Sequence, residues 1–162
     1  MHTTRLGLEF ATRQNSVDQL QASLSDLIDL RLTVKQAHWT VSGPRFQQLH
    51  ELFDSFVGPL DAEIDTVAER IATLSGTPDG RSVSVGQNSQ LEAYPLAIDE
   101  GQIHLERLAD RFAAVGNRVR QGISAIDEAG DATSADVLTG TLRLLDKQLW
   151  FLEAHLTPAK AG

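Results

Sequence analysis

Residues 75–98 read SGTPDGRSVSVGQNSQLEAYPLAI, and this stretch decides the fold. It contains Gly76, Pro78, Gly80, Gly86 and Pro95 and sustains no apolar period. Glycine and proline at that density punctuate a chain rather than extend a helix. So long a connection is uncommon in a compact domain, and it either crosses the fold or carries function. One short helix is expected inside it, from near Asn88 to Ala93.

Long helical patterns flank this connection. Upstream, Leu20, Leu24, Leu27, Ile28, Leu32 and Val34 recur at spacings of three and four, which predicts an amphipathic helix over about 17–40. Asn15 or Ser16 can cap its start, and Val41-Ser42-Gly43-Pro44 ends it. A second pattern covers about 45–74, with Phe46, Leu49, Phe53, Phe56, Leu60, Val67 and Ile71 among its apolar positions. Gly58-Pro59 interrupts it, but the period survives the interruption. A bent continuous helix is therefore expected. Downstream, a third helix is expected over about 99–129 and a fourth over about 133–156. Trp150 falls among the apolar positions of the last and is expected in the core. Short loops make antiparallel hairpins of the outer pairs, and the long connection joins the hairpins. The expected fold class is all-α, a ferritin-like four-helix bundle with a long crossover containing a short helix. Residues 1–16 and 158–162 are expected as tails around a bundle over 17–157.

Composition narrows the chemistry. The chain has 162 residues, enough for one domain with a real core. It has no cysteine, so thiolate chemistry and disulfides are excluded. Lys and Arg total 14 against 22 Asp and Glu, a formal charge of −8. That balance favours cation binding over strong nucleic-acid binding by the folded body. There is no apolar run of membrane-spanning length and no signal-peptide pattern, so a cytoplasmic protein is expected.

The residues that carry chemistry sit on either side of Gly43-Pro44. His38 lies near the end of the first helix. On the second come His50 and Asp54, then Asp65 and Glu69. Each of these pairs is spaced i,i+4 and shares a helix face. Asp61, Asp65 and Glu69 form an acidic ladder that repels itself unless something neutralises it. At 1.5 Å per residue, His50 and Asp65 stand about 22 Å apart along a straight helix. Metal–ligand bonds are about 2.0–2.6 Å, so one chain cannot bring both pairs to one metal. An antiparallel two-fold partner can, with the axis near Pro59-Leu60, and it creates two identical sites. Two imidazoles and three carboxylates suit iron, with manganese and zinc as competitors. The internal di-iron pattern Glu-x-x-His is absent from the sequence.

The stretch Lys35-Gln36-Ala37-His38-Trp39-Thr40-Val41-Ser42-Gly43-Pro44, continuing to His50-Glu51-Leu52-Phe53-Asp54, resembles the signature of the Dps family of mini-ferritins. Asp65-Thr66-Val67-Ala68-Glu69-Arg70 resembles that family's second signature. The likeness continues through Tyr94-Pro95-Leu96, residues 105–111 and residues 145–153, and covers roughly 17–157.

The resemblance implies a hollow homododecamer with ferroxidase centres at two-fold interfaces. Fe(II) would be oxidised there, typically by hydrogen peroxide, and stored inside as ferric mineral, with two irons at a centre. By position, His38, His50 and Asp54 would come from one subunit, and Asp65 and Glu69 from its neighbour. Trp39 would quench or relay oxidising equivalents; a buried core indole is the competing reading. Glu51 would nucleate mineral or simply face solvent. Asp136, with Asp131, would line acidic three-fold pores, or else stabilise a helix N-terminus. Many members of the family hold DNA through a Lys-rich tail. Here residues 1–16 offer only Arg5 and Arg13, with no lysine, and the last residues offer Lys160. A DNA-compacting protein is thus the alternative function.

Overall fold

The computed structural model describes residues 2–157, so the expected C-terminal tail lies outside the described residues. The helices run in the order α1 (Phe10–Thr40), α2 (Phe46–Thr73), α3 (Ser82–Asn88), α4 (Gly101–Glu128) and α5 (Ala132–Leu156). Among the described residues the only β feature is a single parallel bridge between Ser42 and Glu100. Two helical hairpins, α1–α2 and α4–α5, are joined by the long connection that carries α3. The all-α bundle with a crossover stands as the sequence implies.

One apolar core unites the four long helices. Leu20, Leu24, Leu27, Leu30 and Val34 come from α1, and Leu49, Phe53, Phe56, Leu60, Val67 and Ile71 from α2. They meet Leu105, Leu108, Phe112, Val115 and Val119 of α4 and Leu138, Leu145 and Leu152 of α5. Burying each such side chain contributes roughly 1.5–3 kcal/mol against exposure. Two expected inward positions face out instead. Leu32 is half exposed, and Trp150 is 62% exposed rather than packed in the core.

Helix ends depart from expectation where tertiary contacts reach them. The first helix starts at Phe10, so residues 10–16 are helical and the N-terminal tail is shorter than expected. Thr12 Oγ1 donates to the Ala129 carbonyl at 3.0 Å, and Arg13 Nη1 donates to the Leu74 carbonyl at 3.3 Å. These contacts hold the extra turns against the far ends of α4 and α2. Ser16, an expected cap, is buried inside the helix.

The end of α2 also has an unexpected chemistry. Gly76 N donates to the Ile71 carbonyl and Ser75 N to the Ala72 carbonyl, each at 2.9 Å, the Schellman pattern. The left-handed residue is Ser75 (φ 67°), not the glycine after it. Gly76 is needed for space: an added Cβ would meet Ile71 Cγ2 at 2.9 Å and the Ile71 carbonyl at 3.1 Å. Pro59 lies inside an unbroken α2. Pro59 takes a donor from the Ser55 carbonyl, and Ser55, Gly58 and Pro59 are all exposed residues, so the interruption lies on the outer face of the helix. On the buried side Gln148 Nε2 of α5 donates to the Phe56 carbonyl at 3.3 Å.

The crossover is bolted to α1. Gln21 and Asp79 exchange two hydrogen bonds, Nε2 to the Asp79 carbonyl at 3.0 Å and Asp79 N to Oε1 at 2.8 Å. Buried Asp26 accepts from Gln90 N at 2.8 Å and from Arg118 Nε at 2.6 Å, which ties crossover, α1 and α4 together. The short helix sits at 82–88, earlier than expected near 88–93. Asp79 explains the shift. Its carboxylate accepts from Arg81 and from the Ser84 hydroxyl, which fixes the turn that starts the helix. Arg81, then Ser84, hold that carboxyl well below the usual carboxylate range.

The far end of the crossover is fastened by aromatic and cationic groups. The Tyr94 hydroxyl and His104 Nδ1 share a hydrogen bond at 2.6 Å, and Arg111 lies over the Tyr94 ring at 5.0 Å. Arg111 also donates to the Glu92 and Ala93 carbonyls. His104 is fully buried. That burial pushes its pKa down, against the opposing pull of the Ile98 carbonyl and Asp99. Below about pH 6.5 the unfolded chain takes up a proton that native His104 refuses, so acidification there erodes stability. Thermal unfolding from neutral to mildly acidic pH should show that slope, and His104→Gln should flatten it.

Candidate metal centre

The loop at 41–45 turns α1 back onto α2, and Gly43 adopts φ +95°, a conformation suited to glycine. Ser42 N donates to the Asp99 carbonyl at 2.7 Å, so the turn is also held by the start of α4. This hairpin brings the last turn of α1 against the first turns of α2. His38 and His50 meet there with ring centroids 3.7 Å apart and planes inclined by 22°.

Their hydrogen bonds fix their chemistry. His38 Nδ1 donates to the His50 backbone carbonyl at 2.8 Å, and His50 Nδ1 donates to the His38 carbonyl at 2.8 Å. A carbonyl oxygen only accepts, so each Nδ1 carries a proton. That leaves Nε2 of each ring as the nitrogen able to offer a lone pair to a metal. His38 Nε2 lies 3.9 Å from Asp54 Oδ1. The Lys35 ammonium reaches that same oxygen at 2.8 Å. Lys35, first by its hydrogen bond and also by its charge, lowers the Asp54 pKa against partial desolvation, with both histidines adding to the effect.

Thus His38 stacks on His50 and its Nε2 approaches Asp54, while Asp65 and Glu69 lie farther along α2. Both of these carboxylates are exposed, and neither joins an ion pair among the described residues. The first rung of the acidic ladder is different. Asp61 receives Arg31 Nε at 3.0 Å and Nη2 at 3.3 Å, a two-point ion pair. Among the described residues, no three His, Asp or Glu side chains converge as a metal site within one chain.

The remaining candidates divide clearly. Trp39 is 67% exposed, which removes the core-indole reading for the single chain. Glu51 is exposed and accepts from Gln47 Nε2 at 3.0 Å. Asp136 is exposed in the first turns of α5, and Arg5 is exposed ahead of α1. Asp131 cannot line a pore, because it is only 2% exposed. It caps α5 by accepting from Ser134 N at 3.1 Å, and it holds Arg70 Nη2 at 3.0 Å. Arg13 is likewise engaged with the end of α2, through the Leu74 carbonyl and Ser75 Oγ, rather than free for DNA. Sequence reasoning missed Lys35 as part of the site. Its spacing of three residues before His38 was the available signal.

A family model for the ferritin-like domain matches residues 17–161. A DNA protection during starvation protein of Agrobacterium fabrum is 44% identical over 155 residues, which span 96% of each chain. The structure of Mycobacterium smegmatis Dps superposes with a TM-score of 0.93 at 34% identity, covering 100% of this chain and 98% of that one. This chain belongs to the Dps family of ferritin-like proteins. A further Dps structure, from Vibrio cholerae, is described as a member of the ferritin-like diiron-carboxylate superfamily. It superposes with a TM-score of 0.89 at 25% identity, covering 97% of this chain and 98% of that one. Among the described residues of this Dps chain, no helix is long and apolar enough to cross a membrane.

The caps and ties around Asp131 carry a stability expectation. Burial opposes its charge, but Ser134, Ser16 and Arg70 together keep its pKa lowered. The contribution is present above the ordinary carboxylate range and fades as pH falls through it. Asp131→Ala removes a helix cap and leaves Arg70 without its ion-pair partner, and should cost roughly 2 kcal/mol. Denaturant unfolding measures that loss.

Proposed function

We propose that this protein oxidises Fe(II) at centres shared between two subunits and stores the ferric product inside a homododecameric shell. The observation that carries this reading is the stacked pair of imidazoles, each with its Nδ1 committed to a backbone carbonyl, with His38 Nε2 3.9 Å from Asp54. Asp65 and Glu69, exposed and without ion-pair partners among the described residues, supply the other half from an antiparallel neighbour. Membership in a family with diiron-carboxylate relatives supports the same reading.

The donor set fits iron as substrate. Two imidazole nitrogens with three carboxylates form a borderline N/O shell that accommodates Fe(II). Asp65 and Glu69 add charge without adding bulk, and Glu69 can bridge two irons. Each Fe(II) gives up one electron, and hydrogen peroxide accepts two as its O–O bond breaks. Paired irons therefore match a two-electron oxidant and suppress release of a radical. Trp39, exposed next to His38 in sequence, is positioned to relay or quench a stray oxidising equivalent. Glu51 is the proposed nucleation carboxylate on the cavity face, and Asp136 the pore carboxylate. The proposed compartment is the cytoplasm.

DNA protection is the second reading, favoured by the names of the relatives. With Arg13 engaged internally, Arg5 and Lys160 remain as its cationic tail residues. Twelve weak tails could add through avidity. A gel shift that disappears on raising salt is the expected signature of such binding.

Complementation tests the shared centre directly. Peroxide-driven Fe(II) oxidation should be lost in His50→Ala and in Asp65→Ala shells. Refolding the two variants together should restore about one quarter of the centres, because half the dimers are mixed and each has one intact site. Full activity in either pure variant, or no rescue on mixing, would reject the intersubunit centre.

A further inference from the structure

We propose that Lys35 is a built-in occupant of the metal half-site. Its ammonium holds Asp54 until a divalent cation displaces it, and so sets the affinity of the His38–His50–Asp54 half. This inference rests on the metal-binding reading above and extends it to a residue outside the ligand set.

The geometry places one cation where another must bind. Lys35 Nζ lies 2.8 Å from Asp54 Oδ1, and His38 Nε2 lies 3.9 Å from the same oxygen. Oδ1 is the Asp54 oxygen that faces His38, and a metal bound through it would stand at about 2.0–2.2 Å. An ammonium at hydrogen-bonding distance from the same atom competes for it sterically and by charge. Lys35 is suited to leave. Lysine is a flexible point charge and not a planar fork, so one hydrogen bond is lost on departure. Its Nζ is also 5.9 Å from the Trp39 ring centroid, which offers an aromatic face to the displaced ammonium.

The neighbouring cation on α1 shows the contrast. Arg31 grips Asp61 with two hydrogen bonds, and Asp61 lies outside the proposed ligand set. The rigid two-point pair therefore holds a non-ligand carboxylate, and the single-point pair holds a ligand. Without metal, Lys35 also keeps the Asp54 side chain oriented beside His38. The ion pair is part exposed, with side-chain exposures of 21% and 55%, so water and salt weaken it.

Titrating the assembled full-length protein with Co(II), a redox-inert probe under these conditions, tests the proposal by calorimetry and visible absorption. Lys35→Met should bind about three- to fivefold more tightly than wild type at the same stoichiometry, matching the loss of a part-exposed competing pair. Lys35→Gln should tighten binding in the same direction, which guards against a folding defect in one variant. Lys35→Arg, which keeps a charge and grips more firmly, should not tighten it. High salt should narrow the gap between wild type and Lys35→Met. Equal or weaker binding by both neutral variants, with assembly intact by light scattering, would overturn the role of Lys35 alone. If His50→Ala binds Co(II) like wild type, the metal half-site itself is wrong and this inference falls with it.

Discussion

Two imidazoles, each donating to the backbone carbonyl beside the other, hold the working end of this molecule. The clasp joins the last turn of α1 to the first turns of α2 across a tight hairpin. It satisfies polar groups in a partly buried place, and it sets the tautomer of both rings in one stroke. Without it the Nε2 atoms would have no fixed direction, and the Asp54 carboxylate would face a mobile ring. The core beneath positions the clasp, through Ala37, Leu49 and Phe53 on the two helices and Val41 just after α1. Packing thus determines geometry, and geometry determines which ring nitrogen is left uncommitted.

The rest of the bundle keeps that hairpin in place through a second set of polar ties. Ser42 is bonded to Asp99, which pins the α1–α2 turn to the entrance of α4. Tyr94, His104 and Arg111 close the crossover onto α4, and Asp26 joins the crossover to α1 and α4. At the opposite end, Arg13, Arg70 and Asp131 bind the ends of α1, α2 and α5. These charged residues were candidates for partners outside the chain in two cases, Arg13 and Asp131. Both are instead consumed by ends of helices that would otherwise leave backbone groups unpaired.

The surface is what remains after those ties are made. Asp65 and Glu69 are exposed and make no ion pair among the described residues, Asp61 is neutralised by Arg31, and Asp54 is shared with Lys35. Trp39 and Trp150 also face outward, although tryptophans in a bundle usually serve packing. An exposed, patterned acidic stripe on α2 has a physical use if a second copy lies antiparallel across it. That arrangement places the carboxylates of one chain opposite the imidazoles of the other.

The sequence by itself determined what is local or set by periodicity. Apolar spacing located the four long helices, and the glycine–proline punctuation of 75–98 required a crossover. Because helical rise is fixed at about 1.5 Å per residue, the numbering alone separated His50 from Asp65 beyond the reach of one metal. The Dps signature around His38 and His50 was legible for the same reason, since a motif is a local spacing. Only the tertiary structure decided the start of α1 at Phe10, the place of α3, the engagement of Arg13 and Asp131, and the outward face of Trp150. It alone brought Lys35 to Asp54 across two helices. Those outcomes depend on which groups meet across the fold, and a residue's partner in space is not written in its neighbours along the chain.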